Sequence, residues 1–158
     1  MRRILGAVSV AALAFLAWVT LVAFVGPHRL PDRIPARFDL AGKPVAWGTP
    51  RMLLLLPAVA GALYLLITWV SRYPSAFNFP VRVTPGNRPH LESIALNMSA
   101  WLKAELICLL TWIQTAMILS AWHGRSALSP ALMPVAIGVI FATIGWHFAA
   151  MWRARKMR

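Results

Sequence analysis

The stretch Ile4–Val25, ILGAVSVAALAFLAWVTLVAFV, runs for about 22 residues without a charged side chain. At about 1.5 Å of helical rise per residue it matches a hydrocarbon core about 30 Å thick. Three further blocks lie beyond it, at about Met52–Val70, Met98–Trp122 and Pro130–Met151. Four such blocks predict an all-α membrane protein, a single integral-membrane domain over residues 1–158 with no soluble domain beside it. Arg2 and Arg3 ahead of the first block imitate a secretory leader. The apolar run, however, exceeds the usual leader core of about 7–15 residues and ends without a small-x-small cleavage pattern, so an uncleaved helix is expected.

Composition agrees with this reading. Hydrophobic residues make up 59% of the chain and charged residues only 13%, whereas soluble domains carry about a quarter of charged residues. Sixteen Lys and Arg face four acids, Asp32, Asp39, Glu92 and Glu105. All of the bases but Lys103 lie between or outside the apolar blocks, where anionic lipid headgroups at the basic termini are the expected partners. No nucleic-acid-reading motif occurs in the short loops, so nucleic acid is not an expected partner. Cys108 is the only cysteine, which excludes an intrachain disulfide and a thiolate metal cluster.

Two polar stretches separate the blocks, residues 27–50 and 71–94. The first holds Pro31, Pro35, Pro44 and Pro50, each removing a backbone donor and fixing φ, so it cannot be helical. Ala41-Gly42-Lys43 between Ile34–Leu40 and Val45–Trp47 predicts a short hairpin with glycine at its turn. Irregular backbone cannot satisfy its hydrogen bonds against lipid, which places this loop at the membrane surface. Around Gly124-Arg125-Ser126 only a few residues part the third and fourth blocks, predicting an antiparallel helical pair.

Orientation follows from the basic residues. Arg2, Arg3, Arg72, Arg82, Arg88, Arg153, Arg155, Lys156 and Arg158 fall on one side; Arg29, Arg33, Arg37, Lys43, Arg51 and Arg125 fall on the other. Nine against six predicts both termini in the cytoplasm and the 27–50 loop outside. Trp18, Trp69, Trp101, Trp122, Trp146 and Trp152 lie toward block ends, as interfacial tryptophans do, while Trp112 is expected to pack within its block. Ala58/Ala62 and Gly138/Ala142/Gly145 would allow helices, or two copies of the chain, to approach closely.

The segment Leu30–Gly48, LPDRIPARFDLAGKPVAWG, resembles the signature loop of the bacterial domain-of-unknown-function family 1648. That pattern reads approximately LPDRIPTHFNASGEPDGWGSK and follows a first transmembrane helix. The same domain occurs in longer multi-spanning proteins of the Sdp immunity type. Phe77–Arg88, FNFPVRVTPGNR, is similar to a segment of some short members, YNYPVPITPENR. The two motifs cover about 30 residues of the chain. The resemblance implies a bacterial inner-membrane protein with a binding, sensing, immunity-like or regulatory role. Arg37 stands where the pattern has His and Asp39 where it has Asn. A guanidinium stays protonated and cannot ligate, so any metal or proton switch at that histidine is absent here.

Residues for catalysis are not arranged for it. His28, His90, His123 and His147 are dispersed, with no HExxH, GxSxG or HxxxH pattern and no phosphate-binding glycine loop. A catalytic zinc needs about three converging protein ligands; neither a metal, a cofactor nor an enzymatic activity is expected. Two constellations remain. In the outer loop, Asp32, Arg33, Arg37, Phe38, Asp39 and Trp47 could recognise a peptide, a lipid or a membrane-protein partner, while Leu30, Ile34, Phe38 and Leu40 fold down as a cap. Asp32 with Arg33, and Arg37 with Asp39, would form local pairs or turn caps. In the third and fourth blocks, Lys103, Glu105, Gln114 and His147 are polar groups at membrane depth, where they are costly and so mark candidate sites. Lys103, near its helix start, is expected to snorkel to the headgroups. Glu105 is expected to pair with His147, Arg88 or Arg72, and Gln114 to bond between helices. These groups also support the alternative of a small transporter or proton-coupled subunit.

Overall fold

The computed structural model describes residues 1–27, 30–39, 43–124, 127 and 129–155. His28, Arg29, Leu40, Ala41, Gly42, Arg125 and the basic tail from Lys156 lie outside the described residues, and with them the expected glycine turn and the burial of Leu40.

Four helices, α1 (Arg2–Val25), α2 (Leu55–Val70), α3 (Arg88–His123) and α4 (Leu132–Ala154), are long and apolar enough to cross a membrane, α2 together with the 3₁₀ turn Pro50–Leu54 that leads into it. Between α1 and α2 stand two antiparallel strands, β1 (Ile34–Phe38) and β2 (Pro44–Gly48), as the proline and glycine punctuation predicted. Ile34 pairs with Gly48 and Phe38 with Pro44, and the register shifts between Pro35, Arg37 and Phe38. β1 and β2 each carry a proline, tolerable because a two-stranded ribbon is all edge.

α3 is the hub: α1, α2, α4 and β1 all pack on it. One core cluster joins Val19 and Ala23 of α1, Ile34 of β1, Leu53, and Met117 and Ile118 of α3, with Leu30 and Phe38 against it. The hairpin therefore caps the C-terminal end of α3. Further along, Leu16, Ala60 and Ile107 join the first three helices.

α3 also differs most from the sequence reading. It starts at Arg88, ten residues ahead of the apolar block near Met98, so residues 88–94, read as loop, are helical. Its 36 residues span about 54 Å, well beyond a hydrocarbon core of about 30 Å. The extension is amphipathic, which a search for apolar blocks passes over. Leu91, Ile94 and Ala95, joined by Met98, follow the i, i+3, i+4, i+7 rule and pack on Met151, Ala154, Phe77, Phe79 and Val81. The Thr84–Asn87 turn launches it. Asn87, fully buried, accepts from the Thr84 N–H at 2.8 Å and donates through Nδ2 to Arg82 O at 3.0 Å. Arg88 N–H then donates to Thr84 O at 3.0 Å. The second family-like motif thus encodes a helix start. At the other end Gly124, at φ +65°, closes α3 in the left-handed conformation that favours glycine.

The small residues proposed for close packing do not serve inside the chain. Ala58, Ala62, Gly138, Ala142 and Gly145 are exposed, and Ala60, Ala104 and Ala116 occupy the tight contacts instead. Trp112 is likewise exposed, lining an outward groove of about 610 Å³ between α1 and α3 with Phe15, Cys108 and Leu119.

Candidate functional site

The hairpin divides by strand, into an anchored β1 and a more exposed β2. Ile34 and Pro35 are fully buried and Phe38 is half-buried, so β1 is held down on α3 by its apolar side chains. In β2 the alternation expected of a strand turns Val45 and Trp47 outward, 56% and 58% exposed. Asp32, Arg33, Arg37 and Asp39 are exposed as well.

Of the expected ion pairs, neither Asp32–Arg33 nor Arg37–Asp39 forms; the ion pair among the described residues is Arg88–Glu92, at 3.0 Å. Asp39 takes the other role expected of it and clasps the backbone of Lys43. Its carboxylate accepts from the Lys43 N–H at 2.8 Å, and its own N–H donates to Lys43 O at 2.9 Å. That is the commoner use of Asp beside a turn, because a short carboxylate reaches a nearby backbone donor more cheaply than a long guanidinium is fixed.

The intramembrane polar residues do not converge. Gln114, fully buried, donates through Nε2 to Thr20 Oγ1 of α1 at 3.0 Å and to Leu53 O at 2.8 Å. In an α-helical turn the donor for Leu53 O would come from Pro57, which has no N–H to offer, and the Gln114 amide fills that position. Lys103 Nζ donates to Thr68 Oγ1 of α2 at 3.0 Å and lies 4.6 Å from the centre of the Tyr64 ring. Glu105 faces the other way, toward α4, and accepts from Thr143 Oγ1. None of the bases proposed for it is its partner. Arg88 is taken by Glu92, and His147 Nδ1 donates to the Thr143 carbonyl at 2.8 Å. Two residues apart on a helix point about 200° apart, so one helix serves two different neighbours. The partners Thr20, Thr68, Thr143 and Pro57 escape a sequence reading because a lone threonine or proline in an apolar block signals nothing until the facing helix is known.

Among the described residues no three His, Cys, Asp or Glu side chains gather to hold a metal ion. The fold and this distribution of polar groups define a multi-pass membrane protein. Residues 12–61 match the sequence profile of the family described as Domain of unknown function (DUF1648), so the chain carries that domain across most of α1, the hairpin and the first half of α2. No curated protein and no solved structure matches the chain.

Proposed function

We propose that the chain is a non-enzymatic binding or sensing protein of the bacterial cytoplasmic membrane, immunity-like or regulatory in role. Both termini lie in the cytoplasm and the hairpin outside, the orientation supported by nine basic residues against six. One observation carries the reading: the hairpin buries Ile34 and Pro35 while it leaves Val45 and Trp47 exposed beside Arg33 and Arg37. A ribbon on which Trp47 pairs with Pro35, two residues from Arg33 and from Arg37, suits a peptide or membrane-protein partner, since Trp and Arg are enriched among residues that dominate binding. Self-association through the uncovered Gly138/Ala142 face of α4 is compatible with this role.

The transport alternative has less support, because Lys103, Glu105 and Gln114 face three different neighbours and line no shared path. The deciding experiment places a photoreactive amino acid at Trp47 in the native membrane. A discrete cross-link to one peptide or protein supports recognition; labelling of lipid and water alone rejects it.

A further inference from the structure

Lys103 presents a problem that its neighbours do not solve. An ammonium group near the hydrocarbon boundary is costly unless its charge and donors are matched. Nζ carries three N–H groups, and one goes to Thr68. The Tyr64 ring offers its face to a second. No carboxylate among the described residues is within ion-pair distance, since Glu92 is the one acid so engaged and Glu105 faces α4.

A second cation lies on the same side. Leu65, Thr68, Trp69 and Arg72 follow one another at i, i+3, i+4 and i+7, so they form one face at the C-terminal end of α2. Arg72 stands one turn beyond the threonine that holds Lys103; it is exposed and, like Lys103, without a carboxylate partner among the described residues. Beside them an outward-facing groove of about 440 Å³ is lined by Leu65, Leu66, Thr68, Trp69 and Arg72. Leu65 and Trp69 are 68% and 60% exposed. An apolar groove with Arg72 in its lining, and with Lys103 bonded to the Thr68 that also lines it, asks for an amphiphile of opposite charge.

We propose that this face of α2 and α3 is a binding site for one anionic phospholipid. The phosphate sits between Lys103 and Arg72, each supplying charge-assisted donors, while an acyl chain lies along Leu65, Leu66 and Trp69. The site explains why a lysine occupies this depth without an acid. It is separate from what the hairpin recognises, because Lys103 lies about 20 Å along α3 from Met117 and Ile118, where the hairpin packs.

The test is native mass spectrometry of the full chain in detergent, titrated separately with phosphatidylglycerol and phosphatidylcholine. Phosphatidylglycerol adducts are expected to dominate. Arg72→Gln, at an exposed position, and Lys103→Gln should each weaken them about fivefold, the factor that about 1 kcal/mol per cation gives. Lys103→Arg should keep the preference, and Arg82→Gln, a basic residue of the same end outside the groove, should leave it intact. Equal retention of the two lipids overturns the proposal. So does an Arg82→Gln loss as large as that of Arg72→Gln, which would mean diffuse charge and no site. Inorganic phosphate alone should give no adduct; a phosphate adduct lost in Lys103→Gln would replace the lipid by a free anion.

Discussion

Gln114 on α3 donates to Thr20 on α1 across 94 positions of sequence, and the same amide nitrogen closes on Leu53 O. One side chain thus ties three elements together at a carbonyl whose residue four positions on, Pro57, has no N–H. Gln114→Leu removes both bonds and is expected to destabilise the fold by about 1–2 kcal/mol, as for lost interhelical bonds and unmet buried carbonyls. Pro57→Ala restores an N–H to that turn, so in its background Gln114→Leu should cost less, by about 0.5–1 kcal/mol of coupling. Reversible unfolding in mixed micelles measures all four corners of the cycle. Simple additivity would reject the link to Pro57.

The hairpin separates stability from recognition. Ile34 is fully buried among Val19, Ala23, Leu53, Met117 and Ile118, so Ile34→Ala should cost about 2–4 kcal/mol, as for a large-to-small change in a packed core. Trp47→Ala should change stability by about 0.5 kcal/mol or less, as exposed positions do, and abolish partner capture. Unfolding of the two variants, read beside cross-linking yield, checks both halves.

The sequence carried the architecture because apolar blocks of membrane length need no tertiary context, and because Pro31, Pro35, Pro44 and Gly42 punctuate the first loop whatever surrounds it. It misplaced the start of α3 because Leu91, Ile94 and Ala95 are buried by a loop and by the end of α4, neither of which periodicity alone brings together. The polar residues themselves were legible; Lys103, Glu105 and Gln114 stand out in any apolar block. Their partners were not, since Thr68, Thr143 and Thr20 gain meaning only from the register between helices.

Asp39 clasps the hairpin through a carboxylate oxygen that an amide can replace. Asp39→Asn keeps an acceptor for the Lys43 N–H and should be nearly neutral, whereas Asp39→Ala should loosen the turn by about 0.5–1.5 kcal/mol. Hydrogen exchange at the Lys43 amide reports it directly: faster in Asp39→Ala, unchanged in Asp39→Asn. Equal exchange in both would mean that the 2.8 Å contact contributes nothing.

Orientation can be read by labelling, since Cys108 is the only native cysteine and can be removed as Cys108→Ser. Thr49 and Ser75 are both exposed, one after the hairpin and one after α2. In that background Thr49→Cys should react with a membrane-impermeant maleimide in intact cells, and Ser75→Cys only after lysis. The reverse pattern would invert the protein and place the hairpin in the cytoplasm.

Glu105 and Thr143 offer the sharpest division between a structural and a transporting role. The Thr143 hydroxyl donates to Glu105 Oε1 while its carbonyl accepts from His147, so α4 is pinned to α3 through one residue. Glu105→Gln keeps a carbonyl acceptor for that hydroxyl, and the fold should survive it. Thr143→Val loses the donor and should cost about 0.6–1.7 kcal/mol, the range of interhelical bonds in membranes. A threonine hydroxyl can also turn back to the carbonyl four residues earlier, which gives Glu105→Leu a route to partial relief. In proteoliposomes the wild type and Glu105→Gln should show the same proton leak as protein-free vesicles. A wild-type flux abolished by Glu105→Gln, with folding intact, would make the carboxylate a proton carrier and transfer the functional weight from the hairpin to the helices.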